Sequence, residues 1–448
     1  MNPSEIYILG AGPAGMAAAY TLTQQEQHVV VIERDSQVGG LAKSIDYQGF
    51  ILDYGPHFFN SDIAIDPVLK LWNEVMGTEQ VTFNRMTRMY WRSRYFSYPP
   101  KPTEVLLEVG FFESIRLLLS YIQAQFSPNS NPKNFAERMK AKFGNRLFEV
   151  CFEAYIEKLW GIPCTEISAE WQAGRIRNTS LLEVLKNAVR GDDGRLKFPR
   201  LGSRQLYERI AEFIQTNNQQ ILLNHEVVKI YHENFQVTKL ILKNRETEQE
   251  EVIQCQGVIS SIPLTLLLQQ LSPPAPIRVV EQAKYLKFRN TVIVYLIIES
   301  SHLFPDQSIY IIDPNVRLGR VTNFANWSSD MLPDYHHTPL CCEYWCNFDE
   351  STWQQPEEEL LKQAEQDLRE IGLLRDENIC SGFVLKLPRT HPIFTVNYQA
   401  ALVEINDYLN QFQNLEVVGR NGAFKYNDQD DSLNMGILAA KKIVTKYK

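Results

Sequence analysis

Gly10, Gly12 and Gly15 stand at G-x-G-x-x-G spacing directly behind the apolar run Ile6–Leu9. An Ala-rich helical pattern follows at Met16–Thr23, then a Val-rich run, His28–Ile32, that ends on Glu33. Each part has a use in holding a dinucleotide. The first glycine makes the tight turn, the second lets backbone approach a pyrophosphate, and the third lets helix and strand pack closely. Pro13 and Ala14 open the helix, whose free N–H groups and positive dipole end face the phosphates. Glu33 stands where a carboxylate accepts hydrogen bonds from ribose hydroxyls.

Further features favour FAD over NAD. Gly39, Gly40 and Leu41 follow the acid within one loop, which can close over the pyrophosphate from the opposite side. Arg34 faces either the adenine end or solvent. Near the other end of the chain, Leu415–Val418 runs into Gly419-Arg420, then a polar turn, then a closing helix whose N-terminus can point at the flavin or its ribityl-phosphate arm. Glu226–Ile230, with Val227 at its centre, is expected to lay backbone against the adenine.

The elements that position these residues form an α/β protein. A discontinuous Rossmann-type FAD-binding domain is expected from residues 1–80, 196–270 and 400–448. An inserted helical lobe spans 81–195, with helical patterns at Thr103–Leu119, Asn134–Lys142, Arg146–Leu159, Ala169–Arg177 and Leu181–Val189. A strand-rich substrate domain spans 271–399, clearest at Val292–Ile298 and Leu340–Cys346. A chain of 448 residues is too long for one small core.

The net charge of −8 argues against general nucleic-acid binding, which needs a basic face. Seven cysteines, an odd number with no C-x-x-C pair, fit free thiols in a reduced compartment, and a cytoplasmic setting is expected. No Cys/His set has metal-site spacing, so no metal is expected. No apolar run is long enough to span a bilayer. Phe111–Phe126 reads as an amphipathic helix. It lies either on a membrane surface or against its own lobe, and the second reading, without membrane association, is the one expected. Oligomeric state is not readable.

The Gly10–Gly15 turn, Gly39-Gly40, Gly55-Pro-His-Phe-Phe59 and Gly419-Arg420 together resemble the flavoprotein superfamily of amine oxidases, protoporphyrinogen oxidases and UDP-galactopyranose mutases. The resemblance covers most of the chain. Asp53-Tyr-Gly-Pro-His57, Tyr155-Ile-Glu-Lys-Leu-Trp-Gly161 and Gly419–Tyr426 are similar to mutase segments. They imply a histidine near the flavin at His57, nucleotide or sugar contacts at Tyr155 and Trp160, and an arginine by the flavin at Arg420. Tyr426 would meet a sugar diphosphate, with Arg175 and Arg320 clamping it. Three stretches depart from the mutase pattern. Asn60 stands where a second histidine is usual, Arg175 aligns only with a one-residue shift, and the chain after Arg177 lacks an aromatic-rich stretch. Ser168–Arg177 and Gly319–Ser328 look more like bacterial protoporphyrinogen-oxidase-like proteins.

The resemblance therefore implies an FAD-dependent oxidoreductase taking a hydride from a small-molecule substrate at flavin N5. The alternative is a nucleotide-sugar mutase that uses reduced FAD as a nucleophile with no net redox. His57, Arg320 and Tyr426 are the catalytic candidates, and Tyr155, Trp160 and Arg175 the substrate-binding ones. Each has a plainer reading: His57 as a turn histidine bonded to backbone, Trp160 as a core indole. Arg175 and Arg177 sit two apart and cannot share a helix face. Asp428 and Asp430 are expected to cap the last helix.

Overall fold

Ile6–Leu9 and Val29–Ile32 are four-residue strands in which every side chain is buried. The computed structural model describes residues 5–60, 64–98, 101–126, 131–171 and 195–446. The two strands join Gln220–Leu222, Gly257–Ser260 and Leu415–Val417 in an all-parallel sheet ordered 220–222, 29–32, 6–9, 257–260, 415–417. Side chains alternate across it. Ile6 and Ile8 face a layer built on the helices Pro13–Gln24, Asp66–Met76, Arg204–Thr216 and Gln429–Thr445. Tyr7 and Leu9 face the antiparallel strands His225–Glu233 and Gln236–Asn244 and the helix Tyr398–Leu409. A parallel sheet covered on both faces needs apolar strands at its centre, which Ile6–Leu9 and Val29–Ile32 are. Both chain ends thus build the nucleotide-binding sheet, and its carboxyl edge gathers Gly10, Glu33, Ser261 and Gly419.

A second sheet of seven strands runs in the order Ile379–Ile393, Lys287–Ile298, Thr338–Cys346, Arg320–Asn323, Ser308–Ile311, Thr87–Trp91, Arg94–Ser97. Thr87–Ser97 falls within the stretch read as helical lobe, yet it pairs edge-on with Ser308–Ile311. The helix Glu357–Glu370 covers one face of this sheet, and Phe50, Leu52, Phe198 and Trp327 pack on the other. Cys341, Cys342 and Cys346 are buried in the strand Thr338–Cys346 and serve as core residues.

The helical lobe begins at Pro102. The helix expected over Thr103–Leu119 is two, Pro102–Val109 and Phe111–Phe126, because Gly110 turns the chain at φ +81°. Phe135–Phe143 and Asn145–Phe148 follow, and the latter runs through one wide π turn, Glu149–Glu153, into Ala154–Trp160. Such turns recur beside functional sites, and this one precedes Tyr155. The helical patterns past residue 171, and Arg175 and Arg177 with them, lie outside the described residues.

Candidate active site

The helix Pro13–Gln24 starts without a cap. Its N-cap is Gly12, no side chain bonds its first N–H groups, and its first turn carries no acid. Ten of its twelve residues are buried, so these orphan donors and the dipole end behind them open a cradle for an anion. Gly15 is glycine because the helix passes the turn it leaves: a Cβ there would lie 1.9 Å from the Gly10 oxygen. Gly39 and Gly40, both at positive φ, bring the next loop across the helix start, where Gly39 N donates to Ala11 O at 2.8 Å. The Glu33 carboxylate is buried and accepts from Ala11 N at 2.7 Å and Asp35 N at 3.0 Å. Burial raises its pKa, opposed by these two donors. Two of its four lone pairs stay open. Arg34 points to solvent beside Asp35. Val227 is buried, and its carbonyl takes the Gln270 amide. At the start of the last helix Asp428 and Asp431 form a capping box, the Asp428 side chain accepting from the N3 N–H and the Asp431 side chain from the N-cap N–H.

Asp53 anchors the loop that carries His57. Its buried carboxylate accepts from Ser44 Oγ at 2.5 Å and from Ser203 N at 3.0 Å, and Tyr295 Oη donates to its carbonyl at 2.6 Å. Burial pushes its pKa up to about 6, against the pull of both serines. His57 Nε2 donates to Leu41 O at 2.9 Å, since a carbonyl only accepts. The plainer reading of His57 is thus realised in part, because one ring nitrogen bonds backbone while Nδ1 keeps its lone pair. Loss of water and the charges of Arg420 and Arg320 lower its pKa to about 4. Its neighbour His391 is held neutral by burial and the same arginines, with His57 and Arg289 adding to the effect.

Arg320 does not present a free fork. Its Nε and Nη2 pair with both oxygens of Glu343 on the adjacent strand, Nη2 at 2.7 Å, and its Cζ lies 5.6 Å from the Tyr310 ring centre. Arg420 folds its own loop, donating through Nε and Nη2 to Asn427 O at 2.9 and 2.6 Å, with Tyr426 beside it at 5.7 Å. Tyr426 meets Trp160 edge to face at 5.9 Å, and Trp171 and Phe394 complete the aromatic wall. Trp160 is buried, and both Trp160 Nε1 and Trp171 Nε1 are buried without a hydrogen-bond partner among the described residues. Tyr155 sits among Tyr310, Tyr98 and Tyr426, and burial first, then those phenols, keep its hydroxyl protonated. Beside Tyr310 a small cleft opens between Phe58, Arg85, Leu196 and Trp327.

The match to known families follows this geometry. The family model for flavin-containing amine oxidoreductases matches residues 13–384. The chain belongs to that family. Its cofactor is FAD. This flavoprotein is 27 % identical over 226 residues to a Klebsiella pneumoniae protein described as a probable UDP-galactopyranose mutase, a match covering 47 % of the chain and 54 % of that relative. It thus spans about half the length of that relative. It is 30 % identical over 89 residues to a 4,4'-diapophytoene desaturase of Methylomonas, over 20 % of the chain and 17 % of that enzyme. Among solved structures, a reduced UDP-galactopyranose mutase superposes with TM-score 0.82 at 20 % identity, covering 99 % of this chain and 94 % of that one. A protoporphyrinogen oxidase-like protein of Exiguobacterium superposes with TM-score 0.75 at 18 % identity, covering all of both chains. At such identities the likeness is one of fold. Among the described residues, no helix of the flavoprotein is long and apolar enough to cross a membrane.

Sequence reasoning missed Glu343, His391, Trp171 and Lys158. Glu343 carried a signal, as the lone charge in a nine-residue strand that is buried throughout. His391 and Trp171 carried none, since only tertiary packing brings them to Trp160.

Proposed function

We propose that the chain is an FAD-dependent oxidoreductase whose substrate is a small anionic molecule that yields a hydride. The observation that carries this reading is the sign of the charge around His57 and His391. Arg420 and Arg320 both depress the two histidines, with Asp428 opposing them at His57, and the buried carboxylate of Glu343 is spent on Arg320. A protonated amine would be repelled there, whereas a carboxylate or phosphate would be drawn in.

The helix start at Gly12, the second glycine loop and Glu33 would hold the cofactor: N–H groups for the pyrophosphate, open carboxylate lone pairs for ribose. Bound FAD supplies hydride acceptance, which no side chain can. In this reading His57 stays neutral, pinned by Leu41 O, and offers Nδ1 as an acceptor to the substrate. Tyr155, Trp160 and Tyr426 form an aromatic wall that excludes water and orients a ring.

The test is anaerobic mixing of the holoprotein with panels of carboxylate-bearing substrates, porphyrinogens among them, alcohols and amines. Bleaching of the flavin by an anionic member supports the reading. Bleaching by amines alone defeats it.

A second reading, a nucleotide-sugar mutase, draws support from the Klebsiella relative and from the mutase fold over the whole chain. Against it, two of the Arg320 donors that a diphosphate would need are already committed to Glu343. UDP and UDP-galactose titrations of the oxidised and reduced flavin separate the two. Binding tighter to the reduced form, without bleaching, favours the mutase.

A further inference from the structure

On the helix Phe111–Phe126 the apolar face looks outward. At 3.6 residues per turn, Phe111, Phe112, Ile115, Leu118, Leu119, Ile122 and Phe126 fall within an arc of about 120°. All seven are exposed, Phe112 at 80 % and Phe126 at 83 %. The opposite arc is what packs on the lobe. Leu117 is the buried residue there, and Ser120 approaches Gly144 so closely that a Cβ on that glycine would lie 2.4 Å from the Ser120 oxygen. Glu113 on the same arc pairs with Arg146. Leu107 on the preceding helix, 83 % exposed, extends the stripe. The expectation that this face is covered by its own lobe is therefore not met among the described residues.

We propose that this stripe docks on an anionic lipid surface. A helix with one wide apolar face that carries Phe and Leu suits the headgroup boundary, and monomers rarely expose so continuous a patch without a use for it. The charges choose the lipid. In residues 101–126 the acids turn away: Glu104 accepts from Ser97 N at 3.0 Å, Glu108 pairs with Arg94 at 3.0 Å, and Glu113 is held by Arg146. The outward charges are cationic, Lys101 and Arg116, the latter 71 % exposed while its Nη1 reaches Glu113 at 3.4 Å. A chain of net charge −8 thus carries two outward cations beside this apolar helix face. The same lobe continues through Asn145–Phe148 to Tyr155 and Trp160, so docking would set the aromatic wall near the bilayer surface.

The test is flotation of the holoprotein with phosphatidylcholine vesicles, with and without 30 % phosphatidylglycerol, alongside sedimentation velocity. These vesicles are the probe. The comparison is a triple variant, Phe111→Ser, Phe112→Ser and Phe126→Ser, whose intact fold is checked by its flavin spectrum. Wild type should float with the anionic vesicles, and the variant should lose at least ten-fold in bound fraction. Lys101→Glu should weaken binding several-fold and high salt should do the same. No flotation of wild type, or equal flotation of wild type and triple variant, overturns the proposal. So does a wild-type dimer that the triple variant abolishes and that does not float, because the stripe would then be the seat of a second copy.

Discussion

The Lys158 ammonium lies 2.6 Å from the carbonyl oxygen of Leu318 and donates as well to the carbonyls of Val316, Ile311 and Asp313, at 2.6, 2.8 and 3.3 Å. One side chain thereby fastens the helix that carries Tyr155 and Trp160 to the loop leading into the strand of Arg320. Loss of water draws the Lys158 pKa down to about 7, with Asp367 and Asp313 opposing. Four acceptors and no donor around the nitrogen favour the charged form, which has three N–H groups to give. Lys158→Met leaves those carbonyls without a donor. Each buried group so stranded costs about 1–3 kcal/mol, and the expected outcome is a clear fall in Tm with FAD still bound. An unchanged melt would show that the cage contributes nothing.

The C-cap of the same helix, three residues past Lys158, meets Arg289. Gly161 ends the helix at φ +68°, and a Cβ there would lie 2.4 Å from the Arg289 guanidinium carbon. Arg289 is buried and held by Glu350 and by the Trp345 carbonyl, the latter at 2.9 Å. Gly161→Ala combines a left-handed backbone with the displacement of a buried cation, so a loss of at least about 2 kcal/mol is expected. Denaturant unfolding reads it. A variant as stable as wild type would mean that Arg289 has room to move aside.

His57 gives a pH signature with a definite sign. Its folded pKa, about 4, is below the ordinary 6.5, so the unfolded chain binds a proton first as pH falls. The stability due to neutral His57 is intact above about pH 6.5 and is lost progressively toward pH 4. Asp53, pushed up to about 6, works the other way in an overlapping window. Its effect is common to wild type and variant and cancels in their difference. The Tm of the holoprotein should fall more steeply between pH 6.5 and 4 for wild type than for His57→Gln. Parallel curves would refute the assignment.

The nucleotide-binding half was legible because its signals are local. Gly10 to Glu33 spell strand, turn, helix, strand and acid within one βαβ unit, and the closing strand and helix are equally short-range. The convergence of His57, His391, Arg320 and Trp160 was not, because the seven-stranded sheet and the helical lobe bring together residues more than 300 positions apart. The resemblance implies Arg320 as a diphosphate clamp, but its partner Glu343 lies across a strand pair whose register no pattern encodes. Phe111–Phe126 shows the limit in another form. Periodicity gives the width of an apolar face and says nothing of what covers it.

The glycines at 12 and 15 separate the needs of the fold from those of the cofactor. Gly15 has no room for a side chain within the protein itself. Gly12 has φ −73°, which any residue adopts, and a Cβ there meets no protein atom closer than the Gly40 Cα at 3.9 Å. The bare backbone at 12 is therefore not required by the chain's own packing, and it leaves the room that a pyrophosphate drawn against the helix start would take. Gly15→Val should fail to fold. Gly12→Val should give native circular dichroism and a colourless protein, with FAD retention down at least a hundred-fold. A yellow Gly12→Val protein would refute this placement of the cofactor, and an unfolded one would show that the turn itself requires glycine at both positions.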